Sequence, residues 1–163
     1  MLRLTLVLAF ALGFGGAALP ASAASYDGRL TVTVLDEETR QPIAARMELR
    51  DNRDRPVRIR AEGAVPHGNY LVFAGQVTLD LRKGFYQFLI EAGPEYQTRL
   101  GHFTIERHAE DSTEVALRRH VNMHAEGWWA GDLDVRQKHN VMPLMMRAGG
   151  VDLAPIFNRE NIR

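Results

Sequence analysis

From Gly28 to about Arg119 apolar and polar residues alternate with a period of two, the spacing at which successive side chains leave opposite faces of a strand. In "RLTVTVLD", Leu30, Val32 and Val34 share one face and Thr31 and Thr33 the other. "IAARMELR" directs Ile43, Ala45, Met47 and Leu49 inward and Arg46, Glu48 and Arg50 outward, and "QVTLDLR" separates Val77, Leu79 and Leu81 from Gln76, Thr78, Asp80 and Arg82. Strands of this kind have one packed face and one wet face. "FYQFLIEAG" adds another, and further strands are predicted at 57–60, 70–73, 97–106 and 113–118. The runs are separated by the turn sequences "DEETRQP", "DNRDRP", "RKG" and "GPEY". Short strands at this spacing, with no amphipathic helix among them, predict a mainly β chain whose residues 25–120 form an antiparallel β-sandwich. Its core is expected to be aliphatic, with Tyr86, Phe88 and Phe103 as the larger fillers.

The pattern changes after "RRHVNMHAE". "GWWAGDLDV" reads as an apolar strand with a polar end, "NVMPLMMRAGG" as a short helix stopped by Gly149-Gly150, and "VDLAPIFN" as a second buried strand. Residues 121–163 therefore predict an incomplete βαβ unit, the crossover that a parallel strand pair requires. Either it packs on the sandwich or it opens a domain that the chain lacks. A parallel edge left open there invites pairing with another chain, so self-association through this tail is the one partner contact the pattern suggests.

Length, charge and cysteine content narrow the rest. The 163 residues suit one ordinary domain of about 100–200 residues and exclude a complete large catalytic barrel. Lys plus Arg and Asp plus Glu number 20 each, so charge gives no reason to expect nucleic acid or an acidic membrane as partner. Arg3, the apolar run Leu4 to Gly16, and Pro20 before Ala21-Ser22-Ala23 read as a secretory signal over residues 1–23. The alternative, an uncleaved anchor, meets an apolar run shorter than the roughly 20 residues of a spanning helix. Export to the periplasm or the exterior is thus expected, with no integral membrane span after cleavage. There is no Cys, which removes disulfides, thiolate zinc sites and Cys nucleophiles.

The order of these pieces resembles the start of the secreted CehA/McbA-like metallohydrolases of the PHP (polymerase and histidinol phosphatase) superfamily. "GRLTVTVLDEETRQPIAARMELRD" and "RKGFYQFLIEAGPEY" are similar to the transthyretin-like or carboxypeptidase-regulatory-like, Ig-like sandwich of that family, and "GWWAGDL" with "MPLMMRAGGVDLAPIFN" to the opening of its barrel. The resemblance implies a distorted (β/α) barrel whose first strand carries Trp-x-Gly-Asp-Leu-His-x-His. Its two His begin a cluster for two or three divalent metals that hydrolyse phosphoester, carbamate, ester or amide bonds. Gly131, Asp132 and Leu133 match that motif, whereas Asp134 and Arg136 stand where the two His ligands would be.

A hydrolytic metal centre needs neutral imidazoles or carboxylates around a cation that acidifies water. Asp134 still qualifies as a ligand for Zn, Mn or Mg, but Arg136 has no acceptor atom and keeps its charge. Residues 134 and 136 share a face of an extended strand, so an Asp134–Arg136 ion pair is the expected alternative to a metal. His120 and His124 read as solvated residues of a linker, His139 as the nearest remaining ligand candidate, and His67, His102 and His108 as surface residues of the sandwich. The chain has no Gly-x-Ser-x-Gly elbow, no P-loop and no Gly-x-Gly-x-x-Gly. Glu91 and Glu95 beside Tyr96 read as a solvated turn rather than a glycosidase pair. Trp128 and Trp129 suit sugar stacking, but the expected arrangement is one in the core and one sealing the sandwich against the tail.

Three readings result. The first is a truncated or degenerate amino-terminal portion of a PHP-type hydrolase, not competent alone, with a vestigial site at Asp132, Asp134 and His139 and no cofactor beyond a possible divalent metal. The second is an exported binding or scaffolding module in which the sandwich is the working unit. The third is a metal-dependent hydrolase built from Asp132, Asp134 and His139.

Overall fold

The computed structural model describes residues 26–135 and 140–155. Residues 1–25, which include the segment read as a secretory signal, together with Arg136, His139 and the sequence from Ile156 onward, lie outside them. Among the described residues eight strands and one α-helix follow in order: β1 (Gly28–Asp36), β2 (Ala44–Asp51), β3 (Val65–His67), β4 (Tyr70–Ala74), β5 (Gln76–Leu81), β6 (Gly84–Glu91), β7 (Arg99–Ile105), β8 (Glu110–Leu117) and α1 (Met142–Gly149). The strands form two sheets, one in the order β5-β1-β8 and one in the order β3-β4-β2-β6-β7. Neighbours are antiparallel except β1 and β8, which run parallel. A parallel pair needs a long connection, and here the whole second sheet lies between the two strands in sequence. The chain is thus mainly β, a sandwich as the alternation predicts.

Alternation decides the inside. On β1, β2 and β5 the inward residues Leu30, Val32, Val34, Ala45, Met47, Leu49, Val77, Leu79 and Leu81 are all buried in one cluster, and Ile43 packs against it. Glu48, expected outward, is buried on the outer face, with Arg50 2.8 Å from its carboxylate. The large fillers differ from expectation. Tyr86 is buried, but Phe88 and Phe103 are half-buried, and Phe73 of β4 holds the centre. Phe88 lies across Gly101, its partner on β7, where a Cβ would overlap the ring. A glycine opposite an aromatic is a packing device of edge strands, and β7 is the edge of its sheet.

Two departures from the strand reading have a local cause. No strand forms at 57–60: the Val57 N–H donates to the Leu49 carbonyl at 2.7 Å and the segment then leaves β2. β6 holds one edge of β2, and β4 takes the other from Ala44 to Glu48, so only its last residues remain to pair. β3, unpredicted, instead turns through Gly68 and Asn69 onto β4. The turns "DEETRQP" and "DNRDRP" each begin on an aspartate that binds the backbone ahead of it. Asp36 Oδ1 accepts from the N–H groups of Glu38 and Thr39 at 3.0 and 2.8 Å, and Asp51 Oδ1 from those of Arg53 and Arg55 at 2.8 and 3.0 Å.

The tail packs on the sandwich. α1 lies against β2 and β4 and buries Met142 and Ala148. It ends as predicted at the glycines: Gly150 is left-handed at φ 65°, its N–H reaches the Arg147 carbonyl, and the Val151 N–H reaches that of Met146 at 2.9 Å. Gly93, at φ 75°, sits so close beneath that a Cβ would fall 2.8 Å from the Gly150 nitrogen. The contact is backbone on backbone.

"GWWAGDLDV" does not form a continuous strand. A single parallel bridge joins Gly131 to Leu153 on the far side of α1, the minimum of a βαβ crossover. Asp132 Oδ1 then accepts the Asp134 N–H at 3.0 Å, and this Asx turn takes the chain out of the extended line. Leu133 and Leu153, expected in buried strands, are 78% and 63% exposed. No helix of the described residues is long and apolar enough to cross a membrane.

Candidate functional site

Two strand ends carry the chain to the junction between sandwich and tail. The turn after β6 brings Glu95 and Tyr96 beside Arg119, two residues past β8. Tyr96 and Arg119 form an antiparallel bridge, and the His120 N–H donates to the Glu95 carbonyl at 3.0 Å. The Arg119 guanidinium forks onto Glu95 Oε2, with Nε at 2.8 Å, while the Met123 N–H donates to Oε1 at 3.0 Å. Burial raises the Glu95 carboxyl, but Arg119 and the Met123 N–H outweigh it and hold the group below its ordinary value. The Tyr96 hydroxyl donates to Asp36 Oδ2 at 2.8 Å; burial and this acceptor push the phenol up to about 12. Asp36 itself is held below its ordinary value, first by the Thr39 N–H and against its burial. Glu95 and Tyr96 are thus a half-buried structural network that fixes the path of residues 118–123, not a solvated turn.

That path leads into a single 3₁₀ turn, His124 to Glu126, closed by Gly127 at φ 81°. The His124 Nε2 lies 2.7 Å from Asp152 Oδ1, and the Ala130 N–H donates to Oδ2 at 2.7 Å. The Ala130 N–H, and after it His124, keep the Asp152 carboxyl below its ordinary range. An ionised carboxylate only accepts, so the proton of this pair is on Nε2, and in the neutral ring Nδ1 is left as an acceptor. The His124 ring is tilted against Trp129 with centroids 4.5 Å apart. His124 is therefore no loose linker residue but one half of a clasp between the sandwich side and the tail.

Trp128 and Trp129 correct the sequence reading most clearly. Both are exposed, at 64% and 68%, and neither enters a core or seals an interface. The Trp128 N–H donates to the Met123 carbonyl at 2.9 Å, which keeps the pair at the end of the 3₁₀ turn, facing outward. They line a cavity of about 640 Å³ between sandwich and tail. Its floor is Ile43, Ala92 and Pro94 from the sandwich; Glu95, Arg119, His124, Arg147 and Asp152 bring polar groups to it.

The metal-ligand candidates are elsewhere. Asp132 and Asp134 are exposed neighbours in the Asx turn, outside the cavity lining. Arg136 and His139 fall outside the described residues, so the expected ion pair and the third ligand have no geometry here. Among the described residues no group of three or more His, Asp and Glu side chains is placed to hold a metal ion. Gly131 serves the Leu153 bridge, in open space rather than under a close contact. Sequence reasoning missed Asp152, Arg119 and Arg147. Asp152 stands two residues after the helix-stopping Gly150, which places it opposite Ala130 once the crossover forms; no spacing rule marks it otherwise.

The fold and site together define a two-sheet sandwich carrying a docked helix and a cavity at their junction. No family model matches the sequence, and no curated protein does. Among solved structures, the minor pilin of Streptococcus agalactiae is 21% identical with a TM-score of 0.46, over 60% of this chain and 45% of that one. The Bacillus anthracis TIE protein gives 15% and 0.44 over 58% of this chain and 18% of that chain. Phospholipase PlaB from Legionella pneumophila gives 16% and 0.38 over 72% of this chain and 28% of that chain. The chain spans less than half the length of each.

Proposed function

We propose that this chain is the sandwich and barrel-opening portion of an exported CehA/McbA-like protein, in which the sandwich carries the first barrel segment and the metal-binding histidine pair is replaced by Asp134 and Arg136. The observation that supports this reading is the Gly131–Leu153 parallel bridge with α1 between its halves, docked on β2 and β4. A sandwich whose sole role was to stand alone would not need a parallel crossover laid against it. The chemistry of the replaced positions supports the loss of hydrolysis: a fixed positive charge at Arg136 repels the cation that two imidazoles would hold.

The test has two arms. The unaltered protein, incubated with Zn or Mn and desalted, should retain less than one metal per chain and should not turn over p-nitrophenyl phosphate or p-nitrophenyl acetate. Asp134→His combined with Arg136→His should gain Zn binding by titration calorimetry. Stoichiometric metal with turnover in the unaltered chain overturns the proposal, and so does a double variant that binds no better than the parent.

A further inference from the structure

The cavity at the junction has properties that the reading above does not use. Trp128 and Trp129 are the only tryptophans of the chain, they are adjacent, and both present their rings to solvent at its rim. Large apolar faces held in water are a feature that needs an occupant, since indole is elsewhere among the most deeply buried side chains by area. The backbone bond from Trp128 to Met123, the left-handed Gly127 and the His124–Trp129 ring contact hold the pair in place before any ligand arrives.

The polar lining is balanced in charge. Glu95 and Asp152 are carboxylates and Arg119 and Arg147 guanidiniums, with the His124 ring beside them. Two carboxylates against two guanidiniums give the lining no excess of either sign that would favour an anion or a cation. Glu95 Oε2 is filled by the two Arg119 bonds, but Glu95 Oε1 and both oxygens of Asp152 accept one hydrogen bond each and keep a second lone pair, so they can accept from hydroxyl groups without losing their present partners. The Arg147 guanidinium is exposed and makes no hydrogen bond or ion pair among the described residues, so it is available as a donor. Flat aromatic faces beside fixed acceptors and a free guanidinium, in a cavity of about 640 Å³, suit a ligand that is apolar on its ring faces and hydroxylated around its edge.

We propose that the cavity between the sandwich and α1 binds a neutral oligosaccharide, with Trp128 and Trp129 as the stacking platform and Asp152, Glu95 and Arg147 as the hydroxyl-recognising groups. The proposal does not depend on the barrel reading. It concerns a different face of the tail from Asp132 and Asp134, and it holds whether or not a metal binds there.

Because both tryptophans line the cavity, tryptophan emission, excited selectively over the four tyrosines, reads this site. The full chain should show red-shifted emission that acrylamide quenches readily, and at least one of cellohexaose, chitohexaose, maltohexaose and xylohexaose should cause a saturable blue shift. Polygalacturonate should bind no tighter than the neutral probe. In titration calorimetry with that probe, Trp129→Ala and Asp152→Asn should each weaken binding tenfold or more, while Trp129→Phe, which keeps a ring, should retain part of the affinity. Circular dichroism of the variants separates loss of the site from loss of the fold, and Arg147→Ala, on an exposed helical position, repeats the test without touching the clasp. Absence of any shift with all four probes overturns the proposal. So does emission already blue-shifted and shielded from acrylamide in the ligand-free protein, which would mean that another protein surface covers the indoles, and so does tighter binding of the acidic polymer.

Discussion

Single aspartates organise more of this molecule than their spacing suggests. Asp36 and Asp51 both end a strand, fold the following turn onto their own carboxylates, and hold their protons less readily for doing so. Asp51 is the sharper case: the Arg55 side chain leads the groups that lower it from 3.8 to about 2. A carboxyl whose folded value is depressed stabilises the fold above its ordinary value, and that contribution disappears as the pH falls through the folded value. Asp51→Asn should therefore be less stable than the parent near neutral pH, and the two should converge between pH 3.8 and about 2. Urea unfolding at a series of pH values measures this, and two curves that stay parallel through that window would contradict it. These aspartates were legible, because Asp before a turn has a mechanism. The exposure of Trp128 and Trp129 was not. Hydrophobicity predicts burial for an indole unless something local holds it out, and here the holding is done by a backbone bond and a left-handed glycine whose effect no composition rule encodes.

At the level of elements, the period of two carried most of the information and failed where pairing partners ran out. Seven of the eight strands fall on segments read as strands, because one buried face imposes strict alternation. The segment at 57–60 has the same local look but finds only the last residues of β2 free, and β3 has too few residues to show a period. "GWWAGDLDV" failed for another reason: its apolar residues are there for surfaces other than the core, and the Asx turn at Asp132 bends it. The helix was legible from "NVMPLMMRAGG" and its Gly149-Gly150 stop, but its seat was not, since that depends on Gly93, over fifty residues away in sequence. Gly93→Ala places a methyl 2.8 Å from the Gly150 nitrogen and 2.9 Å from the Gly149 carbonyl, atoms that cannot rotate aside, at a left-handed position. The variant should lose about 2 kcal/mol and release α1 from β2 and β4. Limited proteolysis should then cut after Arg147, which the parent should resist.

The whole molecule divides unevenly between its two parts. Every buried residue of the main core cluster lies between Leu30 and Leu117, and the tail adds Met142 and Ala148 against the outside of the second sheet. The Glu95–Arg119 pair and the Tyr96–Asp36 bond also fall before residue 120, so the network that closes the end of the sandwich survives without the tail; only the Met123 N–H to Glu95 is lost. Free energy follows the core, so residues 26–120 should fold alone with one cooperative urea transition and an m-value in proportion to their buried surface. The fragment should lose oligosaccharide binding completely, because His124, both indoles, Arg147 and Asp152 all belong to the part removed. An unfolded or molten fragment would mean that α1 is integral to the sandwich, and a folded one that still binds the probe would place the binding surface on the sheets. The expected result, a stable sandwich that binds nothing, assigns stability to one part and recognition to the junction, where the period-two pattern gives way.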